Sequence, residues 1–330
     1  MKVAKNFKTL MQKREVTLII LIVILTAVVT FRAPGFIKIN NISRILNDTS
    51  ILMIVAIGQF FVILTGGIDL SVGSIIAFSG MAASMMNQYN PALPVVLVLL
   101  AGIVIGAVLG AINGVLVTFG KVPPIITTLG TMSIYRGFTF VLSRGQWVTA
   151  HEMSENYMNI PHGHFIGISN LIWSAVIVVV LTYYFSKYTR SGREVYAIGG
   201  NKTAAHFVGV SKPKVDMIIF SLSGLLCGLA GVMWTARYAA AVNETAAGFE
   251  LQTVAACVLG GVSVAGGSGG IPGVVLGALF LGIINNALPV VNLSPFFQMF
   301  IQGVVVLLAM FVNTLMGKRQ EKSVLKRRCS

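Results

Sequence analysis

Arg190-Ser-Gly-Arg-Glu-Val-Tyr-Ala-Ile-Gly-Gly-Asn-Lys-Thr-Ala-Ala-His-Phe-Val-Gly-Val210 is a polar, cationic island between two long apolar blocks. The sequence on either side reads as lipid-embedded helix. A membrane-embedded chain that keeps such a segment in water offers a soluble partner a place to touch it.

Composition supports that reading. The chain is 55% hydrophobic and 10% charged, with a mean hydropathy of +0.85, where a soluble domain carries roughly 25% charged residues. The 35 glycines suit tightly packed transmembrane helices, because small residues let backbones approach in lipid. The net charge of +14 does not point to nucleic acid, since the cations cluster beside apolar segments, where the positive-inside rule places them. Cys227 and Cys257 fall in apolar runs and Cys329 in the basic tail, without metal-ligand spacing, and read as structural. The run from Val16 to Thr30 follows basic residues as in a signal peptide, but no small-residue cleavage site follows it, so it reads as a retained first helix.

Ten apolar blocks are candidate spans: 16–31, 49–66, 69–87, 93–118, 123–142, 168–186, 215–237, 249–263, 271–289 and 296–316. The expected fold is an all-α polytopic bundle of about ten transmembrane helices. Blocks 69–87 and 249–263 abut Gly-rich turns that mark half-helices or re-entrant segments elsewhere. Segments 1–15, 119–122, 187–214 and 317–330 hold 18 of the 24 Lys and Arg residues. Placing them inside puts both termini in the cytoplasm. The chain then divides into a basic cytoplasmic N-terminus (1–15), a transmembrane domain (16–316) with a cytoplasmic loop (187–214) and an outer, periplasmic loop (143–167), and a basic tail (317–330). In the outer loop, His162 and His164 beside Pro161 read as an exposed turn, with a metal site as the alternative.

Asp69, in Leu64-Thr-Gly-Gly-Ile-Asp-Leu-Ser-Val-Gly-Ser74, is the acid most deeply set in apolar sequence. A carboxylate there is costly and therefore functional or paired. It can cap the next helix with help from Ser71, or act directly in transport. Asn113, Asn285 and Asn286 lie in or at the ends of apolar helices, where an amide can bond a neighbouring helix or a sugar hydroxyl. Asp69, Asn113 and Asn285 are accordingly the candidate translocation-path residues. Arg136 sits near a helix end and can snorkel. The scarcity of intramembrane charge favours a neutral or weakly polar cargo. No hydrolase, zinc-protease or nucleotide-binding motif occurs, so an enzyme reading has no support and any ATP-driven work needs another chain's motor. The stretches 64–77 and 259–271 both set Gly-Gly at a helix junction, a hint of two repeated halves.

Several motifs together resemble the permease subunit of bacterial ATP-binding-cassette importers for simple sugars, the family serving ribose, xylose, galactose and autoinducer-2. They are Thr65-Gly-Gly-Ile-Asp-Leu-Ser-Val-Gly73, Asn113-Gly114, Pro124 to Gly130 with Tyr135-Arg-Gly137, Gly192-Arg193, Ala197-Ile-Gly-Gly-Asn201, Ala204-Ala205, Gly209-Val210 and Ala255-Ala-Cys-Val-Leu-Gly-Gly261. In this order they cover nearly all of residues 40–316. Arg144-Gly-Gln-Trp-Val148 and Ala256-Cys-Val-Leu259 look more like the autoinducer-2 branch than the ribose branch. The resemblance implies an inner-membrane permease of about ten helices, paired with a second permease subunit, identical or not, above two ATPase subunits. A periplasmic solute-binding protein would deliver cargo. This chain would bind no cofactor, ATP and Mg being used by the ATPase, and its remaining partner would be membrane lipid. The resemblance also implies that a short helix at Asn201 to Val210 seats in a groove of the ATPase, making Gly199, Asn201, Ala204, Ala205 and Gly209 the coupling residues. Local chemistry agrees: Asn201 is a helix cap, Ala204 and Ala205 are small helix formers, and Gly209 ends the element before Pro213. The rival readings are an ion- or proton-coupled carrier, with Asp69 as its titratable group, and a polar-solute channel.

Overall fold

The computed structural model describes residues 14–290 and seven separate positions between 297 and 311. Two-thirds of the expected span 296–316 lies outside the described residues, as do most of the basic N-terminus and all of the tail with Cys329. Twelve α-helices run through the described residues: α1 (Arg14–Arg32), α2 (Ile39–Leu64), α3 (Val72–Tyr89), α4 (Val95–Thr118), α5 (Pro124–Ser143), α6 (Glu155–His162), α7 (Asn170–Tyr188), α8 (Arg190–Gly200), α9 (Lys202–Phe207), α10 (Lys212–Tyr238), α11 (Phe249–Leu259) and α12 (Ile271–Val290). Two small antiparallel pairs accompany them, Val148–Thr149 with Ala240–Ala241 and His164–Phe165 with Ile168–Ser169.

Among the described residues, seven helices are long and apolar enough to cross a membrane: α1, α2, α4, α5, α7, α10 and α12. The two blocks beside Gly-rich turns differ from these. α3 has 18 residues but carries Ser74, Ser79, Ser84 and Asn87, all buried, so protein rather than lipid surrounds its polar groups. α11 has 11 residues and spans about 16 Å, roughly half the ~30 Å hydrocarbon core.

α2 is the enclosed helix: 83% of its most apolar window is buried, against 11% for α1 and 28% for α4, α5 and α7. Val96, Leu100, Val104 and Val108 on α4 are exposed, as a lipid-facing stripe must be. The opposite face of α4 carries Gly102, Gly106 and Gly110 at four-residue spacing, and it meets Gly224 and Gly228 of α10 backbone to backbone. A Cβ added at Gly106 would lie 2.6 Å from the Gly228 nitrogen, and one at Gly224 would lie 2.7 Å from the Gly110 Cα. Van der Waals packing, which needs such proximity, drives helix association where lipid removes the hydrophobic term.

Short connectors make successive spans antiparallel, and the contacts between loops show which ends meet. At one end, the Gly267 N–H donates to the Leu64 carbonyl at 2.9 Å, and the Tyr196 hydroxyl to the Gly269 carbonyl at 3.1 Å. This end gathers the 65–71 loop, α8 and α9, and the 260–270 loop. At the other end the Asn87 amide donates to Ser154 Oγ at 2.9 Å, and Ser143 Oγ to Asn243 Oδ1 at 2.7 Å. The segment 143–167 is well anchored there: Tyr157 of α6 is fully buried, with its hydroxyl 2.7 Å from Thr235 Oγ1.

Candidate functional site

Asp69 lies in the loop between α2 and α3, fully buried. Its Oδ1 accepts from the Ser71 N–H (2.9 Å) and Ser71 Oγ (2.6 Å), and its Oδ2 from Ser223 Oγ of α10 (3.3 Å). The Gln59 amide of α2 faces the Asp69 main chain, and with its nitrogen assigned to the carbonyl side it donates to that carbonyl at 3.0 Å and accepts from the N–H at 3.1 Å. Asn113 of α4 continues the chain of bonds, its Nδ2 donating to Ser71 Oγ (2.8 Å) while its Oδ1 accepts from the Tyr135 hydroxyl of α5 (3.1 Å). Asp69 and Asn113 therefore share one buried network that ties α2, α4, α5 and α10 to the Gly-Gly loop. The ion pairs among the described residues, Arg190–Glu194, Lys212–Asp216 and Arg237–Asp48, lie elsewhere, so hydrogen bonds alone hold this carboxyl. Arg136 donates to the Asn243 and Thr245 carbonyls at 2.9 and 2.8 Å, pinning the chain between α10 and α11. His162 lies beside the Arg237 carbonyl and His164 is exposed in its strand.

The cationic island forms two helices where the sequence predicts one. Thr189 caps α8, accepting from the Gly192 N–H, and Asn201 caps α9, accepting from the Ala204 N–H at 2.9 Å. Gly209 follows with φ +81°, a conformation glycine adopts without penalty. The side chains of the coupling candidates face different ways. Ala204 is exposed, but Ala205 is 4% exposed and packs into its own chain's core. The outward apolar groups are Phe207 and Val208, 83% and 78% exposed. Gly199 faces inward too: a Cβ there would collide with the Leu64 carbonyl and come within 2.5 Å of the Gly267 nitrogen. The two Gly-rich junctions predicted from sequence thus lie side by side, with α8 clamped against both.

Asn285 lies apart from Asp69 and Asn113. It lines a cavity of about 420 Å³ bounded by α2, α10, α11 and α12, with Nδ2 at 3.5 Å from Gln252 Oε1. Asn286 lines the same cavity, and its Oδ1 accepts from Asn41 Nδ2 at 3.2 Å. The Arg237–Asp48 pair closes one side, N to O 2.6 Å. Sequence reasoning passed over Gln59, Asp48 and Arg237. Each is a polar or charged residue within an apolar helix, the signal that singled out Asp69.

The chain matches the family described as branched-chain amino acid transport system / permease component over residues 41–310. It is similar to the ribose import permease protein RbsC of Escherichia coli (strain K12), 41% identical over 298 residues that cover 89% of this chain and 92% of that protein. It is also similar to the D-allose transport system permease protein AlsC of the same organism, at 36% over 304 residues and 92% of each chain. The autoinducer 2 import system permease protein LsrC of Escherichia coli (strain K12 / DH10B) is 33% identical over 300 residues, 91% of this chain and 86% of that one. That order runs against the autoinducer-2 leaning of segments 144–148 and 256–259. No solved structure matches the chain. With a family match over most of its length and seven membrane-crossing helices, the chain belongs to this permease-component family and is a multi-pass transport subunit rather than an enzyme.

Proposed function

We propose that this chain is the membrane subunit of an inner-membrane importer that moves a neutral, sugar-like solute. Energy comes from ATP, with Mg, hydrolysed on a separate ATPase subunit, and a periplasmic binding protein delivers the cargo to a pair of permease subunits. The α8–α9 end is cytoplasmic in this reading, as the charge distribution requires. The observation that carries the coupling assignment is the knuckle at Asn201–Gly209, which presents Phe207 and Val208 to solvent while its base is clamped to the ends of α2 and the 260–270 loop. Exposed apolar side chains on a capped helix end suit docking into a partner's groove. Both termini inside and ten spans complete the proposed topology.

The test is uptake by proteoliposomes holding this chain with its ATPase and binding protein. ATP-dependent accumulation of D-ribose or D-allose is expected, with L-leucine neither carried nor competing. Phe207→Asp should abolish accumulation without loss of inserted protein. Accumulation of L-leucine instead, or sugar uptake that proceeds on a proton gradient without the ATPase, would overturn the reading.

A further inference from the structure

The short connector between α4 and α5 forms a basic recess at the lipid boundary. Lys121 after α4, Pro123 and Pro124 at the start of α5, and Lys212, Pro213 and Asp216 at the start of α10 line a space of about 350 Å³. That falls within the roughly 300–1,000 Å³ of small-molecule sites. The recess lies at the end of the bundle that carries α8 and α9, because α10 follows α9 directly. Its three prolines have a fixed φ and no N–H to offer, so the wall is stiff and its strongest donors are the two lysines.

Charge selects what such a recess takes. Asp216 is buried, and Lys212 one turn before it donates to its carboxylate, with Lys202 of α9 adding to the attraction. The Lys212 side chain is 44% exposed, and its ammonium keeps donors beyond the one that Asp216 takes. Lys121 is exposed, and its ammonium has no partner among the described residues. The wall is therefore left with one uncompensated positive charge, open to a charge-assisted hydrogen bond with a single negative group. A zwitterionic headgroup would bring its amine to two lysines and to a carboxylate already occupied.

The surface beside the recess suits acyl chains. Ile112, Val115, Leu116 and Phe119 follow the i, i+3, i+4, i+7 spacing that sets side chains on one helix face, and all four are exposed. Ile125, Ile126 and Leu129 at the start of α5 are exposed as well. A soluble anion gains nothing from an apolar face, whereas a phospholipid uses both parts. Basic pockets between transmembrane helices hold anionic headgroups in this way.

We propose that this recess binds the phosphodiester of an anionic phospholipid, of which phosphatidylglycerol has the matching single charge. Lys121 and Lys212 hold the phosphate, and the acyl chains lie on Leu116, Phe119 and Ile126. The site does not depend on which solute the chain carries.

Native mass spectrometry of the full chain, titrated with phosphatidylglycerol and phosphatidylcholine of the same acyl chains, reads the lipid retained. Wild type is expected to keep a phosphatidylglycerol in preference to phosphatidylcholine. Lys121 has φ +55°, and Asn is a residue that tolerates this left-handed backbone. Lys121→Asn should therefore remove the charge without refolding the turn and lower the preference about fivefold, the worth of one lysine at an anionic surface. Lys121→Arg should preserve it. Lys187→Gln, which removes a cation at the same end of the bundle but outside the recess, should leave it unchanged. Inorganic phosphate and glycerophosphoglycerol, the headgroup without chains, should not displace the lipid. No preference in wild type, an equal loss in Lys121→Asn and Lys187→Gln, or displacement by either soluble phosphate overturns the lipid site. So does a Lys121→Asn chain that retains the lipid but loses its ATPase subunit, which gives the recess to the partner protein.

Discussion

Two adjacent glycines give a matched test of the joint between the knuckle and the bundle. A methyl group at Gly199 would collide with the Leu64 carbonyl and lie 2.5 Å from the Gly267 nitrogen, whereas at Gly200 nothing lies within 4 Å of the added carbon. Gly199→Ala must therefore push α8 off the two loops. Overpacking of this kind costs about 1–3 kcal/mol, and separation of Gly267 from Leu64 forfeits a hydrogen bond worth about 0.5–1.5 kcal/mol. The sum is roughly 2–4 kcal/mol. Gly200→Ala, at the exposed end of α8, should be neutral or stabilising by up to about 1 kcal/mol. The readouts are the thermal midpoint of the permease and the ratio of solute accumulated to ATP hydrolysed by the reconstituted importer. A joint weakened by 2–4 kcal/mol should lower that ratio by tenfold or more, since 1.4 kcal/mol is a factor of ten, while hydrolysis continues. Equal midpoints and equal ratios for the two variants would refute the clamp.

Other outcomes follow from the same contacts. Gly106→Leu should prevent α4 from closing on α10 and leave little folded protein after detergent extraction, whereas Gly130→Leu, where an added Cβ meets nothing within 4 Å, should extract normally. Asp69→Ala strands the Ser71 N–H and the Ser223 hydroxyl and should lower stability by about 2–4 kcal/mol. Asp69→Asn keeps an acceptor toward Ser71 and should cost less than half as much, so equal losses in denaturation would contradict the network. In the 143–167 segment, Glu152 accepts from the Thr149 N–H (2.9 Å) and hydroxyl (3.1 Å), which holds its carboxyl below the usual glutamate range. The folded state favours the carboxylate, so this cap is complete above glutamate's ordinary value near 4.3. It is lost as pH falls through the depressed folded value. Fluorescence of the nearby Trp147 should stay constant down to about pH 4 and change below it, and Glu152→Gln should remove that acid transition.

The fold class was legible because lipid imposes it: runs such as 95–118 and 271–290 are apolar, and backbone groups in hydrocarbon must bond within helices. Asn201 and Gly209 were legible for a local reason, since a cap and a left-handed terminator act within one turn. The orientation of Ala205 and the crowding at Gly199 were not. Both depend on where Leu64 and the 260–270 loop return, which is long-range information, and a small residue reads the same whether it faces a partner or its own core. The site residues show the same division. Asp69 announced itself by its cost in an apolar setting, yet its partners Gln59 and Ser223, and the Tyr135 that its network reaches through Asn113, come from three helices whose register no local pattern specifies. The cavity brings Thr49, Trp234, Gln252 and Asn285 together from four helices, and of these sequence singled out only Asn285.

The arrangement of these parts indicates how a push at one end can reach cargo. α2 runs from the joint at Leu64 to the cavity at Thr49, and α12 runs from the end of the 260–270 loop to Asn285. At 1.5 Å per residue both arms are about 21–22 Å long. Near Leu64, Gln59 and the Asp69 network tie α2 to α4, α5 and α10, and glycine contacts lock α4 to α10. Those helices form a stiff frame, because close-packed interiors transmit displacement rather than absorb it. A tilt of about 5° at the joint end of an arm this long moves its far end by about 2 Å, enough to break or make hydrogen bonds whose useful range spans about half an ångström. On the proposed function, a small rotation of the knuckle is therefore enough to shift the far ends of both arms. The costly buried carboxyl of Asp69 sits at this pivot, bonded to Ser71 and Ser223.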